Sequence, residues 1–195
     1  MKVTRYSEAE VPTEYGPVRV LVFRGQPEDG QEHVAIVLGA PSRVDPVLVR
    51  VHSECWTGEV LRSHKCDCRD QLDQALRAMQ HAKSGVVVYL RQEGRGIGLG
   101  NKIRAYALQE KGADTVDANR MLGFEDDERT YDLAAAILRD IGVMRVALLT
   151  NNPKKVDGLV QHGVEVVERV PLSVEPNEHN AEYLAVKAKK MGHAL

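Results

Sequence analysis

The sequence predicts an α/β domain of the mixed α+β type, with antiparallel strands first and alternating helices and strands after them, all in one mixed sheet. Three observations support this. β-Branched apolar runs separated by turn residues fill the first third of the chain, and helical spacing alternates with short apolar runs in the rest. The 195 residues suit one domain and no linker-like stretch divides them, so we expect a single domain over residues 1–195.

The N-terminal strands are predicted from apolar runs that end at turn residues. Residues 18–24 are rich in β-branched side chains and are followed by a turn cluster over 25–31. A second strand is predicted over 33–38, and a third over 46–51, where apolar and polar residues alternate.

The central elements show a change to helical spacing. Apolar residues recur every three or four positions over 70–83, and Gly85 is expected to end this helix. Residues 86–90 form a continuous apolar run that is typical of a buried strand. A glycine-rich stretch over 93–100 precedes a helix predicted over 102–110.

The C-terminal third alternates helices and strands, and its helices carry end signals. Asp114 is a candidate N-cap for a short helix, and Gly142 is expected to end another. The other predictions are a helix over 132–140, a strand over 145–149, a helix over 153–161, a strand over 164–170 and a polar helix over 178–191, within a polar C-terminal tail of residues 175–195.

Composition excludes several classes of protein. The net charge is −2, from 26 Lys plus Arg and 28 Asp plus Glu. The overall charge therefore predicts no general electrostatic attraction to nucleic acid or to an anionic membrane. No apolar run approaches the ~20 residues that span a bilayer, and the first ten residues are too polar for a secretory signal. We expect a cytoplasmic protein that binds any anion through local charge.

The three cysteines lie within fourteen residues, at Cys55, Cys66 and Cys68, with the spacing C-x10-C-x-C. Three converging thiolates favour a zinc site with a fourth position for a water molecule that the metal activates. A structural zinc site would need a fourth protein ligand, for which His52 and His64 are near in sequence. Three free thiols are the alternative.

Two segments suggest anion binding. The glycine-rich stretch fails both the Rossmann and the P-loop patterns, but its backbone N–H groups and four nearby cations suit phosphates. These cations are Arg91, Arg95, Lys102 and Arg104. Lys154 and Lys155 lie where a strand ends and a helix begins, and a bound anion would offset their cost at a helix N-terminus. A flexible loop and solvated lysines are the alternatives.

Taken together, the motifs resemble the GTP cyclohydrolase II family over almost the whole chain. They are HSEC (52–55), CDC (66–68), RQEGRGIGL (91–99), NKIRAYALQ (101–109), DTVDAN (114–119), DERTYDLAA (127–135) and LLTNNPKKV (148–156). The resemblance is to the stand-alone form, without the dihydroxybutanone phosphate synthase that some members carry.

The resemblance implies an activity and its requirements. The family opens the guanine ring of GTP and releases formate and pyrophosphate, giving 2,5-diamino-6-(5-phospho-D-ribosylamino)pyrimidin-4(3H)-one in the first step of riboflavin biosynthesis. It implies zinc on Cys55, Cys66 and Cys68, magnesium with the phosphates and a cytoplasmic homodimer. Two alternatives are a paralogue that stops at a formylated product or serves another pathway, and an inactive module that binds GTP or zinc.

The resemblance also implies residue roles. Asp127 is the implied acid/base, Tyr106 the site tyrosine, and Arg129 the group that acts on the α-phosphate, as a nucleophile or as an electrostatic clamp. We expect Glu93 or a glutamine to accept N–H groups of guanine. The implied substrate contacts are Arg50, Val51, His52, Ser53, Glu54, Gln71, Glu93, Gly94, Arg95, Thr115, Thr150 and Lys155.

Overall fold

The computed structural model describes residues 2–26, 30–172 and 174. Seven strands and six α-helices occupy this part of the chain. In chain order they are β1 (Lys2–Thr13), β2 (Gly16–Gln26), β3 (Glu32–Leu38), β4 (Val47–Ser53), α1 (Trp56–Glu59), α2 (Cys68–Ala82), β5 (Gly85–Leu90), α3 (Gly98–Gln109), α4 (Thr115–Met121), α5 (Asp132–Ile141), β6 (Arg145–Leu149), α6 (Pro153–Gln161) and β7 (Glu165–Val170), with a 3₁₀ turn at Glu93–Gly96 before α3.

All seven strands form one mixed sheet in the order β1-β2-β3-β5-β4-β6-β7. The pairs from β1 to β5 are antiparallel, whereas β5, β4, β6 and β7 run parallel to their neighbours. The predicted fold class is therefore confirmed. The parallel half brings the carboxyl ends of β4, β5 and β6 to one edge, which is where ligands bind in α/β sheets.

Both faces of the sheet are covered. Val86 and Val88 of β5 pack with Ile137 of α5 and Leu159 of α6, whereas Val87 packs on the other face with α2. This double burial explains why residues 86–90 form a continuous apolar run rather than an alternating pattern.

The main difference from the sequence prediction is β1, which was not predicted. Most of its residues are exposed and polar, because β1 is an edge strand that pairs only with β2 in the sheet. Arg5 of β1 pairs with Asp140 of α5 at 2.6 Å and ties this strand to the helical layer. An exposed edge strand lacks the apolar run that the prediction depended on. The short helix α1 was also not predicted.

Helix ends were predicted well, with one correction. Asp114 caps α4, Gly142 ends α5 in the left-handed region, and α6 begins at Pro153. The prediction that Gly85 ends α2 was wrong, because Lys83 takes the left-handed position with φ 56°. Gly85 instead begins β5, where a Cβ would lie 2.3 Å from Cγ of Met79.

Two further observations complete the fold. The helix expected over 178–191, like the rest of the tail over 175–195, lies outside the described residues. Within the described residues, no helix is long and apolar enough to cross a membrane.

Candidate active site

One pocket opens at the carboxyl edge of the parallel strands and collects residues from distant parts of the chain. Cys55 follows β4, Glu93 follows β5 and Thr150 follows β6. The pocket is lined by Arg50, His52, Ser53, Glu54, Cys55, Cys66, Cys68, Gln71, Gln92, Glu93, Arg95, Lys102, Tyr106, Arg129, Thr150, Asn151, Asn152 and Lys155. Most of the predicted site residues therefore share a single cavity.

The three cysteines form a possible metal-binding site. Their Sγ atoms all lie within 4.8 Å of one another, and those of Cys55 and Cys66 are 3.6 Å apart. A tetrahedral zinc ion with Zn–S bonds near 2.3 Å separates two of its sulfurs by about 3.8 Å. The spacing of the sulfurs therefore fits zinc.

The cluster in the described residues consists of these cysteines alone, without a histidine or carboxylate. His52 is directed elsewhere, with its Nε2 2.8 Å from Oε1 of Glu59. Three protein ligands leave a fourth coordination position for water or substrate, which is the catalytic rather than the structural arrangement.

Gly58 of α1 makes room for the sulfurs. A Cβ at this position would lie 2.9 Å from Sγ of Cys66 and 3.2 Å from Sγ of Cys55. We therefore expect Gly58→Ala to push the sulfurs apart and to weaken zinc binding at least tenfold, as in other sites where the surroundings of the ligands are disturbed. Competition with a chromophoric chelator measures this affinity.

Gly100 provides the matched control for this prediction. It lies inside α3 with no heavy atom within 4 Å of its added Cβ, so Gly100→Ala should bind zinc as the unchanged protein does. Equal zinc affinity in the Gly58 and Gly100 variants would show that Gly58 does not shape the cluster.

The surroundings of the sulfurs favour a thiolate at Cys55. Hydrogen bonds with Cys66 and Cys68, together with the Lys102 ammonium 3.2 Å away, lower the pKa of Cys55 well below its usual range. The hydrogen bond with Cys55 and burial raise the pKa of Cys66 to about 11. Cys55 is therefore the first of the three thiols to lose its proton, and a bound divalent cation would favour the thiolate form of the other two as well.

Glu59 holds the backbone at Cys55, the first residue of the cluster. Its Oε1 accepts hydrogen bonds from the backbone N–H of Cys55 at 2.9 Å and from His52 at 2.8 Å, while its Oε2 accepts one from Tyr89 at 2.6 Å. Burial lowers the pKa of His52, so the neutral imidazole donates through Nε2. This network orients Cys55 before any metal binds.

Glu93 is a buried carboxylate beside the cysteine cluster. It accepts hydrogen bonds from the backbone N–H groups of Trp56 at 2.6 Å and Gly94 at 2.7 Å, and from the Lys102 ammonium at 2.7 Å. A carboxylate has about four acceptor positions and three are used here, so one remains for an N–H group of guanine. The expected contact of Glu93 with guanine stays a prediction.

Arg129 and Asp127 form a two-pronged ion pair beside the pocket. Nε and one terminal nitrogen of Arg129 each lie 2.8 Å from an oxygen of Asp127. Although burial of Asp127 acts in the opposite direction, the hydrogen bonds from Arg129 hold the pKa of this carboxyl below its usual value. Asp127 is therefore an anion that orients the guanidinium, and Arg129 lines the pocket.

Two buried cations, Arg50 and Lys155, also line the pocket. The guanidinium of Arg50 donates to the carbonyl of Leu149 at 2.9 Å, and the ammonium of Lys155 donates to the carbonyl of Val51 at 2.8 Å. Burial lowers the pKa of Arg50 to about 10, which leaves it charged at neutral pH. Asn152 caps α6 by accepting from the backbone N–H of Lys154 at 2.9 Å, so the N-terminus of that helix faces the same region.

A few predicted site residues lie outside this pocket. Val51 is fully buried in the core, and Asp127 reaches the pocket only through Arg129. Gly94 and Thr115 line a neighbouring cavity that shares Arg95, Lys102 and Tyr106 with the first. The predicted contacts of Gly94 and Thr115 with substrate stay predictions.

The cations of the glycine-rich stretch separate into two groups. Arg95 and Lys102 line the pocket, whereas Arg91 pairs with Glu54 at 2.9 Å and Arg104 donates to Asn101 at 3.0 Å. Sequence reasoning did not assign Gln92, Asn151 and Asn152 to the site. The position of Asn151 and Asn152 between a strand end and a proline-initiated helix was the signal available for them.

Comparison with known proteins gives consistent matches. A family model described as GTP cyclohydrolase II matches residues 4–171. GTP cyclohydrolase-2 of Histophilus somni (strain 2336) is 53% identical over 194 residues, which cover 100% of this chain and 89% of that protein. GTP cyclohydrolase-2 of Pasteurella multocida (strain Pm70) is 52% identical over 195 residues, covering 100% and 89%.

Longer relatives match as well. The riboflavin biosynthesis protein RibBA of Bacillus subtilis (strain 168) is 53% identical over 194 residues, which are 99% of this chain and 48% of RibBA, so the chain spans about half the length of that relative. Among solved structures, the two-domain 3,4-dihydroxy-2-butanone 4-phosphate synthase RibBX from A. baumannii has a TM-score of 0.50 at 23% identity, covering 89% of this chain and 41% of that one. That likeness concerns the fold alone.

Proposed function

Because the chain belongs to the GTP cyclohydrolase II family, we propose that it opens the imidazole ring of GTP in the pocket described above, with release of formate and pyrophosphate. The product is the diaminopyrimidine of the first step of riboflavin biosynthesis. One observation carries the proposal: the three-cysteine cluster, the buried cations Arg50 and Lys155 and the partly buried Arg129 line the same cavity.

The lining of the cavity suits both the base and the phosphates of the substrate. Cationic side chains and the N-terminus of α6 suit a triphosphate, which binds best to charge-assisted donors and helix N-termini. In the same cavity Cys55, Cys66 and Cys68 would hold zinc, a Lewis acid that activates water for attack on the guanine ring. The base would thus be directed at the cluster while the cations hold the phosphates.

Arg129 acts on the phosphates as a preoriented charge. Asp127 holds the guanidinium at two points in a buried position, so the positive charge is already in place before charge develops on the leaving pyrophosphate. We propose the electrostatic clamp over the nucleophile, because guanidinium stays protonated at neutral pH and Asp127, itself anionic, stabilises that form.

Further properties follow from the family and remain proposals. They are magnesium bound with the substrate phosphates, a homodimer and a cytoplasmic location. No nucleic acid or membrane partner is proposed. Magnesium would share the phosphate charge with Arg50 and Lys155, as divalent ions do at other triphosphate sites.

A single reaction tests the proposed function. Purified protein is incubated with GTP and magnesium, the products are identified by mass spectrometry, and zinc is measured by elemental analysis. The diaminopyrimidine with formate, pyrophosphate and about one zinc per chain is the expected result, since one three-thiolate cluster holds one ion. A formylated product would indicate the paralogue that stops earlier, and zinc without turnover would indicate an inactive binding module.

Tyr106 is the proposed determinant of complete deformylation. Its ring lines the pocket with Lys102, whose ammonium lies 5.9 Å from the ring centroid. We expect Tyr106→Phe, which removes only the hydroxyl, to accumulate formylated product at the expense of formate. Chromatography of the products over a time course measures the ratio, and an unchanged ratio would show that the hydroxyl is not needed.

A further inference from the structure

Lys102 has a position that the phosphate-binding hypothesis does not explain. Its ammonium lies 3.2 Å from Sγ of Cys55 and 2.7 Å from Oε1 of Glu93. The side chain is only 12% exposed, so this contact is made inside the protein and not at a solvated surface. Lys102 therefore lies beside the cysteine cluster.

Glu93 holds the Lys102 ammonium in place. The Glu93 side chain is 7% exposed, and its second oxygen accepts a hydrogen bond from the backbone N–H of Trp56, the residue after Cys55. Three hydrogen bonds therefore hold Cys55 and its neighbour. Glu59 accepts from the backbone N–H of Cys55, Glu93 accepts from that of Trp56, and Lys102 donates to the Cys55 sulfur.

The charge of a zinc-loaded cluster explains how the contact between Lys102 and Cys55 would act. Zinc with three thiolates carries a formal net charge of about −1, which weakens its ability to activate water. An ammonium that donates an N–H bond to one sulfur offsets that charge without occupying a coordination position. Outer donors of this kind orient metal ligands and tune the metal.

We propose that Lys102 is a positioning residue of the zinc centre, which holds the Cys55 thiolate through an N–H···S bond and is itself held by Glu93, and that it does not serve as a phosphate ligand. The proposal rests on the zinc site of the proposed function and deepens it. Arg50, Arg129 and Lys155 then remain as pocket-lining cations for the triphosphate.

The test compares zinc affinity with nucleotide affinity. Lys102→Met keeps the length of the side chain and removes the charge, and Lys102→Arg keeps the charge. Zinc affinity is measured by chelator competition, and binding of a non-hydrolysable GTP analogue is measured on zinc-saturated protein. We expect Lys102→Met to weaken zinc binding by about 10- to 100-fold, the usual cost of losing an outer partner, with partial recovery in Lys102→Arg.

Two matched variants complete the design. Lys111→Met removes an exposed lysine beyond the end of α3 and should leave zinc affinity unchanged. Glu93→Gln should weaken zinc binding in the same direction as Lys102→Met, because it removes the charge that holds the ammonium. If Lys102→Met does not fold, as judged by circular dichroism, Lys102→Gln replaces it as an uncharged variant.

The outcomes separate the proposal from its alternatives. Weaker zinc binding with analogue affinity changed by less than about threefold supports the proposal, since a phosphate ligand would change both kcat/KM and analogue binding. Zinc affinity equal to that of the unchanged protein overturns it, and weaker analogue binding in that case assigns Lys102 to the phosphates. Failure of the unchanged protein to convert GTP would refute the proposed function but leave the comparison of zinc affinities valid.

Discussion

Replacement of Cys66 by serine is expected to abolish both zinc binding and formate release. The Cys66 sulfur lies 3.6 Å from that of Cys55, and serine offers a shorter, harder oxygen that cannot complete a three-thiolate set. Loss of the metal removes several kcal/mol of transition-state stabilisation, so kcat should fall by about 10³-fold or more. Elemental analysis and a formate assay measure the two losses.

His64→Ala is the comparison for this variant. His64 lies two residues before Cys66 and is, with His52, one of two sequence candidates for a fourth ligand, but it is not part of the cluster in the described residues. We expect His64→Ala to retain zinc. Zinc loss in His64→Ala would favour a closed structural site, and normal turnover of Cys66→Ser would disprove a role for the metal in the reaction.

Replacement of Arg129 by alanine is expected to separate metal binding from phosphate chemistry. Arg129 lies in the pocket, where its guanidinium pairs with Asp127, whereas the possible metal-binding cluster of the described residues consists of the three cysteines. Zinc should therefore stay bound, while kcat for pyrophosphate release falls by about 10²- to 10³-fold, the usual cost of losing a preoriented charge. A coupled pyrophosphate assay and zinc analysis on the same sample test both statements.

Arg120 offers a matched control for Arg129. It makes the same kind of two-pronged ion pair, with Asp126 at 2.9 Å and 2.9 Å, but on the surface, where its side chain is 63% exposed. Exposed ion pairs contribute little to stability, so Arg120→Ala should retain activity. Equal activity in Arg120→Ala and Arg129→Ala would show that Arg129 has no role at the phosphates.

Much of the fold could be predicted because short segments carry their own signals. The helix ends at Asp114 and Gly142, the strand over 145–149 and the helix that begins at Pro153 depend on hydrogen bonds and dihedral angles within a few residues. These signals act without the rest of the protein, so they can be recognised in the sequence.

The candidate site could be predicted as a set of residues but not as an arrangement. The spacing of Cys55, Cys66 and Cys68 was enough to suggest a metal, and the motif resemblance supplied the other residues. The sequence did not show that Lys102 contacts Cys55 while Arg91 pairs with Glu54, because both are cations in or beside the same glycine-rich stretch.

The sequence by itself thus determined the fold class, most helix and strand positions and the three candidate thiol ligands, since periodicity, capping and donor chemistry are local properties. Only the tertiary structure decided that β1 is an edge strand, that His52 serves Glu59 rather than a metal, and that Lys102 lies against a sulfur. The position of β1 depends on strand pairing across the sheet, and the last contact depends on which buried charges meet, as Lys102 and Cys55 do across 47 residues. Burial makes an unpaired charge costly, so the packed chain selects the partner, and that choice is not encoded in any short segment.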